Sequence, residues 1–171
     1  KTGASEALLE EKLMIGHEPS YASPPEMPMF NHVAWVVEDQ AAVVDFLEKH
    51  FECKAGPPRI IEGAWADELS AMKDVKAIYV GVKSKGTETN IAVLKFERPP
   101  SEHNSDVAQL NLMGLRHFGF LVEDIDAKTA ELKDAGYKFF SDVVTVEAFK
   151  SKTVYFWGPE NAVIQLTEKL Q

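Results

Sequence analysis

The sequence has one cysteine, Cys53, and only three arginines, Arg59, Arg98 and Arg116. A lone cysteine excludes an intramolecular disulfide and a cysteine-rich zinc site, and it fits a reducing, cytoplasmic setting. So few arginines in a chain of formal net charge −9 argue against a nucleic-acid surface, which needs clustered Lys and Arg to neutralise phosphates. No apolar run approaches the roughly 18 residues that a membrane-spanning helix requires, and no charged-then-apolar leader is visible. What is present is the balance of an ordinary globular chain, 45% apolar and 26% charged. Its 171 residues can bury one substantial core, built as a single domain or as two small modules sharing an interface.

Residues 1–28 read as an N-terminal arm. "ASEALLEEKLMI" has Ser5 placed to cap a short amphipathic helix, and "GHEPSYASPPEMP" is a proline-rich extended segment. From residue 29 the pattern becomes regular. A strand "FNHVAWVV" is followed by a helix beginning at Asp39, "DQAAVVDFLEKHF", which buries Val43, Phe46, Leu47 and the aliphatic edge of His50, and then by a turn "CKAGPP" and a strand "RII". A polar region "EGAWADELSAMKD" precedes the strands "VKAIYVGV" and "IAVLKF", which close a β-α-β-β-β unit over residues 29–97. A connector spans 98–113. The plan then repeats over 114–171 as strand "LRHFGFLV", helix "DIDAKTAELKDAG", and strands "YKFFSDVVTV", "TVYFW" and "AVIQLTE". His32 and His117, Val37 and Val122, Asp39 and Asp124, and Leu47 and Leu132 are each 85 residues apart, so duplication is the economical explanation.

Strand alternation puts His32, Ala34 and Val36 on one face, and His117, Gly119 and Leu121 on the matching face of the second copy. The bulky aromatics fall on the opposite side, leaving room for a ligand beside the histidines. On its own, a strand histidine is more often a hydrogen-bonded core residue than a ligand. Two at equivalent places shift the reading toward ligation. His17, His50 and His103 lie in polar or linker contexts and are expected at the surface. Tyr79 and Tyr155 read as core or wall aromatics.

The motifs "NHVAWVVED", "IAVLKFERPP", "LRHFGFLVEDIDA" and "FWGPENAVIQLTE" together resemble the vicinal oxygen chelate superfamily, which includes glyoxalase I, methylmalonyl-CoA epimerase, extradiol dioxygenases and bleomycin-resistance proteins. The resemblance covers about residues 29–169. It implies an α+β fold of two tandem β-α-β-β-β modules curling into a cupped mixed β-sheet barrel. Such a cup binds a divalent metal on its floor through the first and last strands of both modules. Carried over by position, the first-strand ligands are His32 and His117, and the last-strand ligand of the second module is Gln165. The first module has Ala92 there, which cannot ligate. Two imidazoles and an amide suit Zn, Ni, Co or Fe better than harder ions such as Mn. Glu62, Asp67 and Glu68 are the candidates for a missing carboxylate, with Glu97 and Glu168, which alternation places on the face opposite the site.

The resemblance implies a lyase or isomerase of the glyoxalase and epimerase kind, in which a metal stabilises an enolate-like oxyanion on a small molecule with adjacent oxygens. Glu68 is the candidate to move the proton, and Ala34, Ala92, Gly119 and Tyr155 would line the substrate. The alternative is a metal-free member that binds or sequesters a small molecule, as the bleomycin-resistance group does. A ring-cleaving dioxygenase is disfavoured because its site needs a carboxylate ligand. Lys and Arg look scarce near the cup, so no clamp for glutathione or coenzyme A is expected. A homodimer is the expected assembly, with pairing of the modules within one chain or across the dimer left open.

Overall fold

A computed structural model describes residues 30–87, 89–102, 110–111 and 113–170. The N-terminal arm, most of the connector, His17 and His103 lie outside these residues. The first module runs β1 (His32–Val36), α1 (Gln40–Phe51), β2 (Lys54–Ala55), β3 (Arg59–Glu62), α2 (Ala64–Ser70), β4 (Lys76–Lys83) and β5 (Asn90–Arg98). The second runs β6 (His117–Leu121), α3 (Ile125–Asp134), β7 (Lys138–Phe139), β8 (Val144–Val146), β9 (Ser151–Trp157) and β10 (Val163–Lys169).

Each module makes a five-stranded sheet. The orders are β1-β5-β4-β2 with β3 also on β4, and β6-β10-β9-β7 with β8 also on β9. β1 pairs β5 and β6 pairs β10 in parallel, as a βα crossover requires, and the other pairs are antiparallel. The expected barrel is not closed: the strands form two open sheets. β1 and β6 approach on the faces turned to the helices, where the Trp35 and Phe118 rings meet at 5.1 Å.

The helices start alike because the same chemistry is written twice. The Asp39 side chain accepts from Ala42 N at 3.0 Å and the Asp124 side chain from Ala127 N at 2.9 Å, each satisfying an otherwise orphaned helix donor. One core joins the helix-facing sides of the two sheets. It includes Val43, Phe46 and Leu47 of α1, Leu132 of α3, and Phe156 and Leu166 of the second sheet. Phe51 stacks on Phe120 at 3.8 Å, and Glu160 Oε1 accepts from Glu38 N and Asp39 N, so a turn of the second module holds the start of α1. The modules therefore pair within the chain.

Three local expectations are corrected. The "CKAGPP" turn contains the short strand β2. The polar region after β3 contains α2, whose C-terminal turn is tied by Asp67 accepting from Asp74 N and Val75 N. The stretch "YKFFSDVVTV" is not one strand, because Ser141 and Asp142 turn the chain and divide β7 from β8.

Candidate functional site

The faces opposite the helices carry the predicted residues. His32, Ala34 and Val36 of β1 are exposed, as are His117, Gly119 and Leu121 of β6, which the shared core on the other side dictates. Register decides which residues of the neighbouring strands join them, since partners across a ladder share a face. In the first sheet one row reads His32, Asn90, Lys83, Lys54, and the next reads Ala34, Ala92, Gly81. In the second sheet the corresponding rows are His117, Val163, Trp157, Lys138 and Gly119, Gln165, Tyr155. Ala92 and Gln165 thus hold the same position in the two sheets.

Gln165 is held in one orientation. Thr153 Oγ1 donates to the Leu166 carbonyl at 2.9 Å, and a carbonyl can only accept, so the Thr153 proton is committed there. Toward Gln165 the hydroxyl can only accept, and it takes Nε2–H at 2.8 Å. The amide oxygen is therefore turned toward β6. A Cβ at Gly119 would stand 3.6 Å from Gln165 Oε1, so the glycine leaves open space in front of that oxygen. The His117 ring meets Tyr155 edge-on at 5.2 Å, and Phe140 stacks on Trp157 at 3.8 Å, completing an aromatic wall.

The first sheet is built differently at the same place. Ala92 is 2% exposed, and its partner Gly81 has no side chain because Tyr79 leans over it. A Cβ there would come within 2.7 Å of the Tyr79 hydroxyl. Tyr79 pairs Leu94 as Thr153 pairs Thr167, so Tyr79 and Thr153 are counterparts. One fills the space beside an alanine; the other positions an amide.

The candidate carboxylates are occupied elsewhere or face solvent. Asp67 holds the turn after α2, Glu168 Oε2 accepts from Ile125 N at the start of α3, and Glu97 pairs with Lys76 at 2.9 Å, whose hydrogen bond and charge pull the carboxyl below its ordinary range. Glu62 and Glu68 are exposed, the latter on α2. Among the described residues, no three His, Cys, Asp or Glu side chains gather as a metal site of those types would need.

Two sequence expectations change here. His50 is buried rather than at the surface, 5% exposed, and its Nδ1–H donates to Glu131 Oε1 at 2.6 Å. Lysines are not scarce at the cup. Lys54, Lys83 and Lys85 line a cavity of about 680 Å³ with Gly81, Asn90 and Glu52, a volume typical of small-molecule sites. Alternation along "AIYVGVK" already puts Tyr79, Gly81 and Lys83 on one face; what the sequence withheld was which strands lie beside them.

Two open sheets facing away from paired helices, each with a histidine at the start of its first strand, define a duplicated βαβββ protein. The chain belongs to the glyoxalase/bleomycin resistance protein/dioxygenase superfamily, whose model matches residues 31–156. Among solved structures, a glyoxalase family protein from Bacillus cereus is 23% identical with a TM-score of 0.78, over 88% of this chain and 99% of that one. A glyoxalase family protein from Enterococcus faecalis is 20% identical with a TM-score of 0.57, over 83% and 98%. The fosfomycin resistance protein FosX from Listeria monocytogenes is 14% identical with a TM-score of 0.52, over 83% and 93%, and has also been solved with Mn(II) and sulfate. No curated protein matches the sequence. No helix among the described residues is long and apolar enough to cross a membrane.

Proposed function

We propose that the chain is a small-molecule enzyme of the lyase or isomerase kind, acting on a substrate with adjacent oxygens, with His32, His117 and Gln165 as ligands for a divalent transition metal. The observation that carries the reading is the forced orientation of Gln165, whose oxygen is turned toward the strand bearing His117. Two imidazoles and one amide oxygen fit Zn, Ni, Co or Fe, and fit Mn less well. Such an ion would supply Lewis acidity to oxygen atoms of the substrate. Ala34 and Gly119 keep the floor clear, Tyr155 backs His117, and Glu68 stands as the candidate for moving a proton. Metal analysis of protein purified without added metal tests the proposal. About one equivalent per chain is expected, lost when His32 and His117 are both changed to Ala, and no binding after loading with any of these ions would refute it.

A second reading has its own support. Ala92 is buried beside Gly81 and Tyr79, and three of the five candidate carboxylates are engaged in structural contacts. That pattern favours a metal-free member that binds or sequesters a small molecule, and the same metal analysis separates the two. A homodimer belongs to the proposal as well. The exposed Trp65, Leu69 and Phe149 offer apolar surface for one, and sedimentation at increasing concentration tests it.

A further inference from the structure

The row Ala34, Ala92, Gly81 crosses the first sheet and matches Gly119, Gln165, Tyr155 in the second. Methyl groups and a hydrogen are all that its own side chains carry, so they supply no polar atom. The Tyr79 phenol reaches the row from the adjacent position on the same face of β4. Its hydroxyl stands 2.7 Å, and its Cζ 3.3 Å, from the place that a Cβ on Gly81 would take. An alanine at 81 would push the hydroxyl aside, so the glycine is what lets the phenol lie across the floor.

Tyr79 is half-buried. Its hydroxyl is open to solvent and has no hydrogen-bond partner among the described residues. Thr153 holds the corresponding place on β9, and its proton is committed to the Leu166 carbonyl. Nothing in the described residues claims the proton of Tyr79, and a phenol O–H can donate as well as accept. The two halves therefore offer complementary groups. Gln165 turns an acceptor oxygen toward β6, while Tyr79 holds a donor over Gly81, beside the Ala92 that cannot ligate.

We infer that Tyr79 is a substrate-contacting residue whose hydroxyl donates a hydrogen bond to a substrate oxygen lying over Ala92 and Gly81. The inference deepens the metal-dependent reading of the same site and rests on it. A charged oxygen accepts such a bond more strongly than a neutral one. The phenol thus favours a substrate that carries or develops negative charge on the first-sheet side of the floor.

Oxalate is a suitable probe, because it sets two oxygens side by side for a metal and keeps two more pointing away. The full chain is first titrated with Zn(II). Oxalate binding is then followed by calorimetry and by the NMR ring signals of Tyr79 in tyrosine-labelled protein, with retained zinc measured at the end point. A saturable shift of the Tyr79 signals is expected. Tyr79→Phe removes the hydroxyl and keeps the ring, and should weaken oxalate about fivefold or more with Zn(II) affinity unchanged. Gly81→Ala keeps the hydroxyl but displaces it, and should weaken oxalate about threefold or more. Imidazole binds a metal through one nitrogen and then presents no acceptor, so its affinity should be the same in all three proteins. Equal oxalate affinity in the parent and the Tyr79→Phe protein, or unmoved Tyr79 signals, would overturn the inference and leave the metal site standing. Equal losses of oxalate and imidazole would also overturn it, since they mark a displaced metal in place of a lost hydrogen bond. A chain that takes up no Zn(II) would sink the metal reading, and the inference with it.

Discussion

Ala92 and Gln165 occupy one position in two copies of one design, and the difference between them extends into their neighbours. In the second sheet Thr153 is short, sits beside Gln165 and fixes its amide. In the first, the counterpart of Thr153 is Tyr79, whose ring lies over Gly81 and fills the room that a longer side chain at position 92 would need. The short Ala92 in one half is thus matched by a bulkier residue next to it, and the longer Gln165 in the other by a smaller one. The helix-facing sides show the contrary behaviour. Asp39 and Asp124 cap alike, and Leu47 and Leu132 are both fully buried. The halves match where they share a core and differ on the exposed faces that carry His32 and His117.

The largest test bears on the shared core. Leu47→Ala and Leu132→Ala should each cost about 2–5 kcal/mol, and because both residues belong to one cluster, urea unfolding followed by fluorescence and by circular dichroism should stay a single coincident transition. Two separated transitions would mean that the modules are independent and that the comparison of halves is one of separate domains.

The next test puts a ligand back into the first sheet. Ala92→Glu places a carboxylate at a site that is 2% exposed and crowded by the Tyr79 phenol, and should cost about 3 kcal/mol. Adding Tyr79→Thr copies the second sheet and should recover about half of that loss. It should also raise affinity for divalent metal about tenfold or more, since a carboxylate joins neutral donors. If Tyr79→Thr gives no recovery, the tyrosine and the alanine are unrelated substitutions.

A contact with no duplicate comes third. His50 of α1 donates to Glu131 of α3, and Lys128 donates to both Glu131 Oε2 and the His50 carbonyl. Partial burial raises the Glu131 carboxyl pKa, but the hydrogen bonds from Lys128 and His50 outweigh it and leave it below its ordinary value. A depressed carboxyl contributes stability above the ordinary carboxylate range and loses it as pH falls through the depressed value. Glu131→Ala leaves the buried imidazole donor unanswered and should cost about 1–2 kcal/mol at neutral pH, with the wild-type and variant stabilities converging at acidic pH. A cost that is constant with pH would show that the carboxylate charge is not involved.

These contacts also mark how far the sequence could be read. The 85-residue echo, the two Asp caps and the exposed His32 and His117 faces follow from local pattern, because capping and alternation are short-range effects. The burial of His50 is not written locally, because its cover, Tyr137 and Glu131, comes from the other module. The lysine cavity has no local signature either, because Lys54 reaches the His32 row only through the pairing of a two-residue strand, a long-range choice. Seven residues of α2 carry too little periodicity to stand out in a polar stretch.

The smallest effect on stability should carry the sharpest functional answer. Thr153→Val keeps the shape of the side chain and removes the hydroxyl that commits the Gln165 amide. The loss of folding stability should be about 1 kcal/mol or less, since Gln165 is half-buried and its Nε2–H can turn toward water. With nothing to prefer one face, the amide is free to present nitrogen in place of oxygen to the open space before Gly119. Metal affinity, read by competition with a chelating dye, should then fall about tenfold, as it does when a ligand loses its outer support. Thr153→Ser should restore it, because the serine hydroxyl can bridge the same amide and the Leu166 carbonyl. A valine variant that loses stability yet holds metal as tightly as the parent would reduce Thr153 to a packing residue, and would remove the asymmetry with Tyr79 from the chemistry of the site.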